Sequence, residues 1–135
     1  MSSSPDDVMR YPDIEIYLPK VPVDALDTWL AEAIGAEPLA PGGKHKWRTR
    51  GRCEGREIAV LLVEKAADGF ASLWLDSPDT PWATDLACAH AAANRLGCEV
   101  RCSLGGWTPG DDPDRFLQVL PDGGEREIDW PDSDR

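Results

Sequence analysis

Residues 44–64 read KHKWRTRGRCEGREIAVLLVE, and this stretch decides the fold class. In the segment Lys44 to Cys53, every even-numbered residue from Lys44 to Arg52 is Lys or Arg. A period of two is typical of a β-strand that presents one row of side chains to each face of a sheet. Glu54-Gly55 is a turn signal and Glu57 to Glu64 is strongly apolar. The stretch therefore predicts a β-hairpin.

Similar patterns predict the remaining elements on both sides of this hairpin. We expect strands at Asp13 to Leu18, Phe70 to Asp76, Cys98 to Leu104, Arg115 to Leu120 and Glu125 to Trp130, and helices at Asp24 to Ile34 and Thr80 to Leu96. Gly35 and Gly97 follow the two helices and are natural left-handed stops. The segment Glu37 to Gly43 holds two prolines and two glycines and predicts a loop.

Each predicted helix has a start signal and an apolar stripe. Asp24 and Thr80 are the expected capping residues, and Thr80 precedes a proline that suits a first helical turn. The first stripe is Leu26, Trp29, Leu30, Ala33 and Ile34, and the second is Ala83, Leu86, Ala87, His90, Ala93 and Leu96. The many alanines in the second stripe predict close packing on a sheet.

The element order is then β-α-β-β-β-α-β-β-β, which predicts an α+β fold with two helices packed on one face of a mostly antiparallel sheet. The first expectation is a ferredoxin-like sheet with added strands. The second is a duplicated β-α-β-β unit, since Gly35-Ala-Glu37 and Gly97-Cys-Glu99 follow the helices in the same way. We expect a single domain over 13–130, a flexible N-terminal tail over 1–12 and an acidic C-terminal tail over 131–135.

The charge of the chain is strongly segregated. The 135 residues carry a net charge of −11, yet residues 44–56 hold six cations against Glu54 alone. This stretch has a local charge of +5, so the rest of the chain carries −16. Such an acidic surface argues against general affinity for nucleic acids or anionic membranes.

The compartment is predicted from what the sequence lacks. The longest aliphatic run, Ile58 to Val63, is far shorter than the roughly 20 apolar residues of a membrane-spanning helix. The start, Met1 to Asp7, lacks the basic and apolar regions of a secretory signal. We expect a cytoplasmic protein, and the residue usage indicates a bacterial one.

Cysteine and histidine suggest neither a metal site nor a cofactor. In a cytoplasmic chain, Cys53, Cys88, Cys98 and Cys102 are expected to be small buried hydrophobic residues. Cys98 and Cys102 would lie about 13 Å apart on a strand, too far for a shared zinc ion or a disulfide. His90 is expected inside, hydrogen-bonded; a Cys–His pair with Cys53 or Cys98 stays open as the one nucleophilic arrangement.

Two candidate sites follow from these patterns. The first is the row Lys44, Lys46, Arg48, Arg50 and Arg52, whose roughly 6.6 Å spacing suits an anionic ligand. The other interpretation is that these cations protect an edge strand or face acidic residues on a neighbouring strand.

The second candidate is a pair of acidic loops, Asp76 to Trp82 and Gly105 to Asp114. Its proposed contact residues are Asp79, Trp82, Trp107, Asp111, Asp112 and Asp114. Tryptophan is enriched at binding hot spots, but both tryptophans could instead pack onto the core.

The sequence therefore favours a non-enzymatic module that binds a basic protein, by analogy with small acidic bacterial immunity and antitoxin proteins. The alternative is a small-anion or nucleotide-binding domain that uses the basic strand, with Arg48 and Arg50 holding the anion. An enzyme is the least favoured reading, because the sequence has no phosphate loop, dinucleotide fingerprint or nucleophile elbow. A homodimer stays open.

Overall fold

The computed structural model describes residues 12–19, 21–67, 69–103 and 115–129, which form two helices and eight antiparallel strands. The strands are β1 (Ile14–Leu18), β2 (Ala40–Gly43), β3 (Lys46–Cys53), β4 (Arg56–Ala67), β5 (Phe70–Asp76), β6 (Val100–Ser103), β7 (Arg115–Val119) and β8 (Glu125–Asp129). The helices are α1 (Val23–Ile34) and α2 (Asp85–Leu96).

All eight strands belong to one sheet, in the order β2-β3-β4-β5-β1-β6-β7-β8. The predicted α+β class with two helices and an antiparallel sheet is confirmed. The predicted strand count was one too low. The finer expectation of a ferredoxin-like or duplicated arrangement remains a prediction.

The additional strand is β2, where the sequence predicted a loop. It pairs with β3 at the edge of the sheet, with Ala40 opposite Arg48 and Pro41 opposite Trp47. All four of its residues are exposed, so their sequence APGG shows no alternation of apolar and polar side chains. Proline is tolerated in edge strands because its missing N–H removes no internal ladder bond.

Helix α1 follows the prediction closely. Leu26, Trp29, Leu30 and Ile34 are buried, and Gly35 ends the helix in the left-handed conformation, with φ of 60°. Asp24 lies in the first turn but makes no side-chain cap, since Pro22 occupies the capping position.

Helix α2 begins later than predicted. Its cap is Thr84, whose Oγ1 accepts a hydrogen bond from the Ala87 amide at 3.2 Å. Thr80 is buried in the preceding turn, where its hydroxyl donates to the Trp82 carbonyl. The predicted start at Thr80 was therefore wrong.

The face that α2 buries also differs from the predicted stripe. The fully buried residues are Cys88, Ala89, Ala92 and Ala93. Alanines lie all around this helix, so periodicity alone could not define its inner face. The small side chains of the buried set let the helix approach β6 and β1 closely.

The core lies between the helices and one face of the sheet. The strands contribute Ile14, Ile16, Leu18, Ile58, Val60, Leu62, Leu73, Leu75, Val100, Cys102, Leu117 and Val119 to it. Cys88 and Cys102 are fully buried, as predicted for small hydrophobic residues, whereas Cys53 and Cys98 are half-buried, and all four are free thiols.

Gly51 of β3 packs directly against the end of α1. A Cβ atom at this position would lie 2.6 Å from Cδ1 of Ile34 and 2.7 Å from the Ile34 carbonyl oxygen. Both distances are far below van der Waals contact, so only glycine fits here without moving the end of the helix.

We expect Gly51→Ala to destabilise the protein by about 1–3 kcal/mol, because the added methyl group overpacks the α1–β3 contact. The matched control is Gly42→Ala in β2, where the added Cβ would meet only the flexible side chain of Arg48. Urea denaturation of both variants measures the difference. Equal losses of stability would contradict this account of the α1–β3 contact.

Candidate functional site

Four cations on β3 form one row on the sheet face opposite the helices. We define Lys46, Arg48, Arg50 and Arg52 as the cationic stripe; all four side chains are exposed. They point outward because Gly51, between Arg50 and Arg52, faces Ile34 of α1. Lys44, the fifth cation of the sequence prediction, lies in the turn between β2 and β3 rather than in the strand.

Three of the four cations lie beside apolar side chains of β4, whereas Arg52 lies opposite Glu57. Strand β4 places Val63, Leu61 and Ala59 opposite Lys46, Arg48 and Arg50, respectively. The expected alternative, pairing with carboxylates of a neighbouring strand, applies to one cation only: Arg50 Nη1 donates to Glu57 Oε2 at 3.1 Å. Both partners are more than half exposed, so this ion pair contributes little stability. Within the described residues, Lys46, Arg48 and Arg52 have no ion pair.

Strand β2 positions Arg48. The Arg48 side chain lies across Gly42, where an added Cβ would come within 2.9 Å of Arg48 Cδ. Since the sequence did not predict β2, it could not indicate that Arg48 is supported from one side.

A surface cavity of about 590 Å³ connects Arg48 and Arg50. We call it the basin. Its lining comprises Glu37, Pro38, Ala40, Arg48, Thr49, Arg50, Ala59 and Val60. Glu37 is held at its rim by two hydrogen bonds: its amide donates to the Arg50 carbonyl at 3.2 Å, and its carbonyl accepts from Thr49 Oγ1 at 2.6 Å. Ala59, which lies opposite Arg50, contributes only a methyl group to this lining.

An apolar strip extends from the stripe across the same sheet face. Leu61 lies opposite Arg48 on one side and opposite Trp74 of β5 on the other. Trp74 is half-buried, and its Nε1 donates to Asp13 Oδ2 at 2.6 Å. Two strand spacings, about 9–10 Å, separate β3 from β5. A ligand held at Arg48 could therefore reach the Trp74 ring.

The acidic-loop candidate is only partly described. The Asp79 amide donates to Ser77 Oγ at 2.9 Å, and the Asp79 carboxylate lies 3.9 Å from Arg56 Nε. Trp82 is half-buried against Trp29, with ring centroids 5.4 Å apart. This packing matches the expectation that a loop tryptophan folds onto the core. Trp107, Asp111, Asp112 and Asp114 lie outside the described residues.

Strands β5 and β6, which precede the two acidic loops in the chain, run in the same direction. Each of them pairs antiparallel with β1, on opposite sides of that strand. Asp76 and Ser103, their last residues, therefore lie at one end of the sheet.

Histidine and cysteine do not form a described nucleophilic pair. His90 is half-exposed, and its Nε2 lies 2.5 Å from Glu125 Oε2 on β8. Burial raises the pKa of the Cys88 and Cys98 thiols and raises that of Cys102 to about 12. A reactive cysteine needs a lowered pKa, so these three thiols are suited to packing rather than to catalysis.

Asp85 is a half-buried acidic group that no sequence pattern indicates as a site. Its Oδ1 accepts a hydrogen bond from the Glu15 amide at 3.1 Å, beside the short pairing of β1 with β6. Burial raises the pKa of Asp85 to about 6, and the nearby Glu15 and Asp13 carboxylates act in the same direction. In the sequence Asp85 resembles any acidic residue of a first helical turn, so nothing marked it.

Comparison with known proteins gives no match: no protein-family model, no curated protein and no solved structure is significantly similar to this chain. Across the described ranges, no helix has the length and apolar character needed to cross a bilayer. Nor do any three His, Cys, Asp or Glu side chains in the part of the chain that the structure describes come together as metal ligands.

We expect Asp85→Asn to change how stability depends on pH. The folded-state pKa of about 6 lies above the ordinary value of 3.8, so the folded protein binds this proton more tightly than the unfolded chain does. The contribution of Asp85 to the free energy of unfolding is therefore complete below about pH 4, where its carboxyl group is protonated, and is lost as the pH rises through 6. The variant should therefore gain about 1–2 kcal/mol relative to the natural protein between pH 4 and 7, because Asn keeps the accepting oxygen and never ionises.

Urea denaturation of both proteins at several pH values between 4 and 7 measures this difference. Comparing the two proteins cancels the titration of the other acidic residues. A difference that stays constant with pH would show that Asp85 does not carry the raised pKa.

Proposed function

We propose that this protein is a non-enzymatic binding domain that holds a small anion between Arg48 and Arg50, with a nucleotide-like molecule as the ligand class that fits best. The observation that supports this most is the basin, which joins two arginines whose neighbours on β4 are apolar. Arg48 has no ion pair within the described residues and Arg50 has only its exposed pair with Glu57, so both guanidinium groups can attract an external anion.

The arginine side chains suit phosphate groups in particular. A guanidinium group donates two parallel hydrogen bonds to a phosphate, and alternate residues of a strand are separated by about 6.6 Å. A ligand with two or three linked phosphates can therefore contact both arginines at once. Arg50 would exchange its exposed pair with Glu57 for the ligand.

The strip formed by Leu61 and Trp74 supports an aromatic body on the same ligand. With phosphates at Arg48 and Arg50, the rest of the molecule would lie over Leu61 towards the indole ring of Trp74. Stacking of a base on an aromatic side chain contributes about 1–3 kcal/mol. This distinguishes a nucleotide from a bare inorganic anion.

The variant Arg48→Gln/Arg50→Gln should lose anion-induced stabilisation while keeping the fold. Thermal unfolding at low ionic strength, with and without ATP or tripolyphosphate, measures this. At a ligand concentration 100 times Kd, we expect the natural protein to gain about 2.7 kcal/mol, and the variant to gain almost nothing.

The control variant Arg56→Gln/Arg126→Gln removes the same charge from exposed positions outside the stripe. It should respond to both compounds as the natural protein does. Stabilisation of the Arg48→Gln/Arg50→Gln variant by either compound to the natural extent would rule out the basin as the anion site.

A second candidate function is docking of a basic protein on the acidic loops. It is favoured by the charge of −16 outside residues 44–56 and by the common end of the sheet at which β5 and β6 finish. Asp79 is 35% exposed there and sits beside a polar cleft of about 330 Å³. Such a surface would steer a cationic partner by long-range attraction.

Reversing the charge of Asp111, Asp112 and Asp114 to Lys should reduce retention of a basic partner. Natural and reversed proteins serve as baits in cell lysate at low and high salt, and mass spectrometry identifies what is retained. A basic protein held by the natural bait at low salt and lost with the reversed bait is the expected result. Equal retention by both baits would exclude these aspartates as the docking surface.

Two further proposals, one on the fold and one on the cellular location, are common to both candidate functions. The strands β4, β5, β1 and β6 are adjacent, and α1 and α2 follow β1 and β5 in the chain. This order supports a ferredoxin-like centre to which β2, β3, β7 and β8 are added. A cytoplasmic location remains the proposal that the sequence favours.

A further inference from the structure

A second cavity, of about 460 Å³, lies at the opposite end of the β4–β5 hairpin from the acidic loops. Its apolar wall comprises Pro19, Val21, Leu62 and Ala71, and its polar wall comprises His45, Glu64, Lys65 and Gly69. Leu62 and Ala71 lie on the helix side of the sheet, since they pair with Leu73 and with the buried Leu18, respectively. The cavity is therefore on the opposite sheet face from the cationic stripe.

The polar wall is built from unusual backbone. His45 and Lys65 have φ of 59° and 57°, a left-handed conformation that costs a non-glycine residue about 1–2 kcal/mol. Lys65 lies where the β4–β5 register shifts between Val63 and Ala67. Such bulges redirect side chains and are common next to functional sites.

One backbone hydrogen bond joins His45 to Glu64, the residue before Lys65. The Glu64 amide donates to the His45 carbonyl at 2.8 Å, which ties the β2–β3 turn to the bulge of β4. Two separate elements thus hold their polar residues against the same apolar wall. Strained residues that converge on one cavity are typical of ligand clamps.

The polar wall holds one carboxylate, Glu64, and one ammonium group, Lys65. His45 Nδ1 lies 3.9 Å from Glu64 Oε1, a contact that is an ion pair only when His45 is protonated. Lys65 is exposed, and it has no ion pair within the described residues. Its ammonium group can therefore pair with an anionic group of a ligand.

We propose that this cavity binds a small, mainly apolar molecule with one anionic group. The apolar body lies against Leu62 and Ala71, and the anionic group pairs with Lys65. The volume lies within the range of about 300–1,000 Å³ that is typical of small-molecule sites. This site is independent of the proposed anion site between Arg48 and Arg50.

Two fluorescent probes with closely related aromatic bodies test the proposal. 1-Anilinonaphthalene-8-sulfonate carries one sulfonate, and N-phenyl-1-naphthylamine is the same framework without it. We expect the sulfonate probe to bind this cavity of the natural protein about tenfold more tightly than the neutral probe, because one charge-assisted hydrogen bond is added.

Two variants separate the two halves of the site. Lys65→Gln should reduce sulfonate-probe affinity about tenfold, to that of the neutral probe, and leave the neutral probe unchanged. Ala71→Leu fills the cavity and should weaken both probes. Circular dichroism and thermal unfolding check that both variants fold, and Lys65→Gln, at an exposed position, keeps the test valid if Ala71→Leu does not.

The Arg48→Gln/Arg50→Gln variant distinguishes this site from the basin. It should bind both probes like the natural protein, even if its response to phosphates is lost. If the sulfonate probe keeps its tenfold preference in Lys65→Gln, or loses it in Arg48→Gln/Arg50→Gln, the proposed cavity site is overturned. Binding of neither probe to the natural protein would overturn it as well.

Discussion

The contact between α1 and Gly51 sets the orientation of β3, and the outward direction of its cations depends on it. Because no Cβ separates them, the end of the helix sits directly on the strand, with Ile34 filling the space where a side chain would be. Successive side chains of a strand point to opposite faces of the sheet, so Arg50 and Arg52, on either side of Gly51, point away from the helices. The contact between Gly51 and Ile34 thus places the alternating cations of β3 on the outer face of the sheet.

That surface differs from an ordinary solvated strand in what lies beside it. Neighbouring cations repel one another, and opposite charges on an adjacent strand would offset this repulsion. Here β4 places Val63, Leu61 and Ala59 opposite Lys46, Arg48 and Arg50, and its Glu57 lies opposite Arg52 and forms an ion pair with Arg50. Unpaired guanidinium groups beside apolar side chains can bind a ligand that has both an anionic and an apolar part, which is why we propose the function there.

The sequence predicted some elements of the fold correctly and others not, for physical reasons. Strand β3 and helix α1 were predicted correctly because one face of each is buried, which produces a periodic pattern of side chains. Strand β2 was not predicted because its four residues are all exposed. The buried face of α2 was predicted wrongly because this helix has alanines on several sides, so periodicity could not indicate which side is buried. The basin could not be predicted, since it needs Arg48 supported by Gly42 and the register that sets Ala59 opposite Arg50. The cavity at Lys65 depends on a bulge that no sequence pattern marked.

The most direct test of the central claim is a map of amide chemical shifts, by two-dimensional NMR of the ¹⁵N-labelled protein, during titration with ATP at low ionic strength. The account predicts that the largest changes fall on residues 46–52 of β3 and 57–63 of β4, with the Trp74 indole signal also shifting. Changes concentrated at residues 76–85, or spread evenly over the sheet, would show that the face carrying Arg48 and Arg50 is not the binding surface.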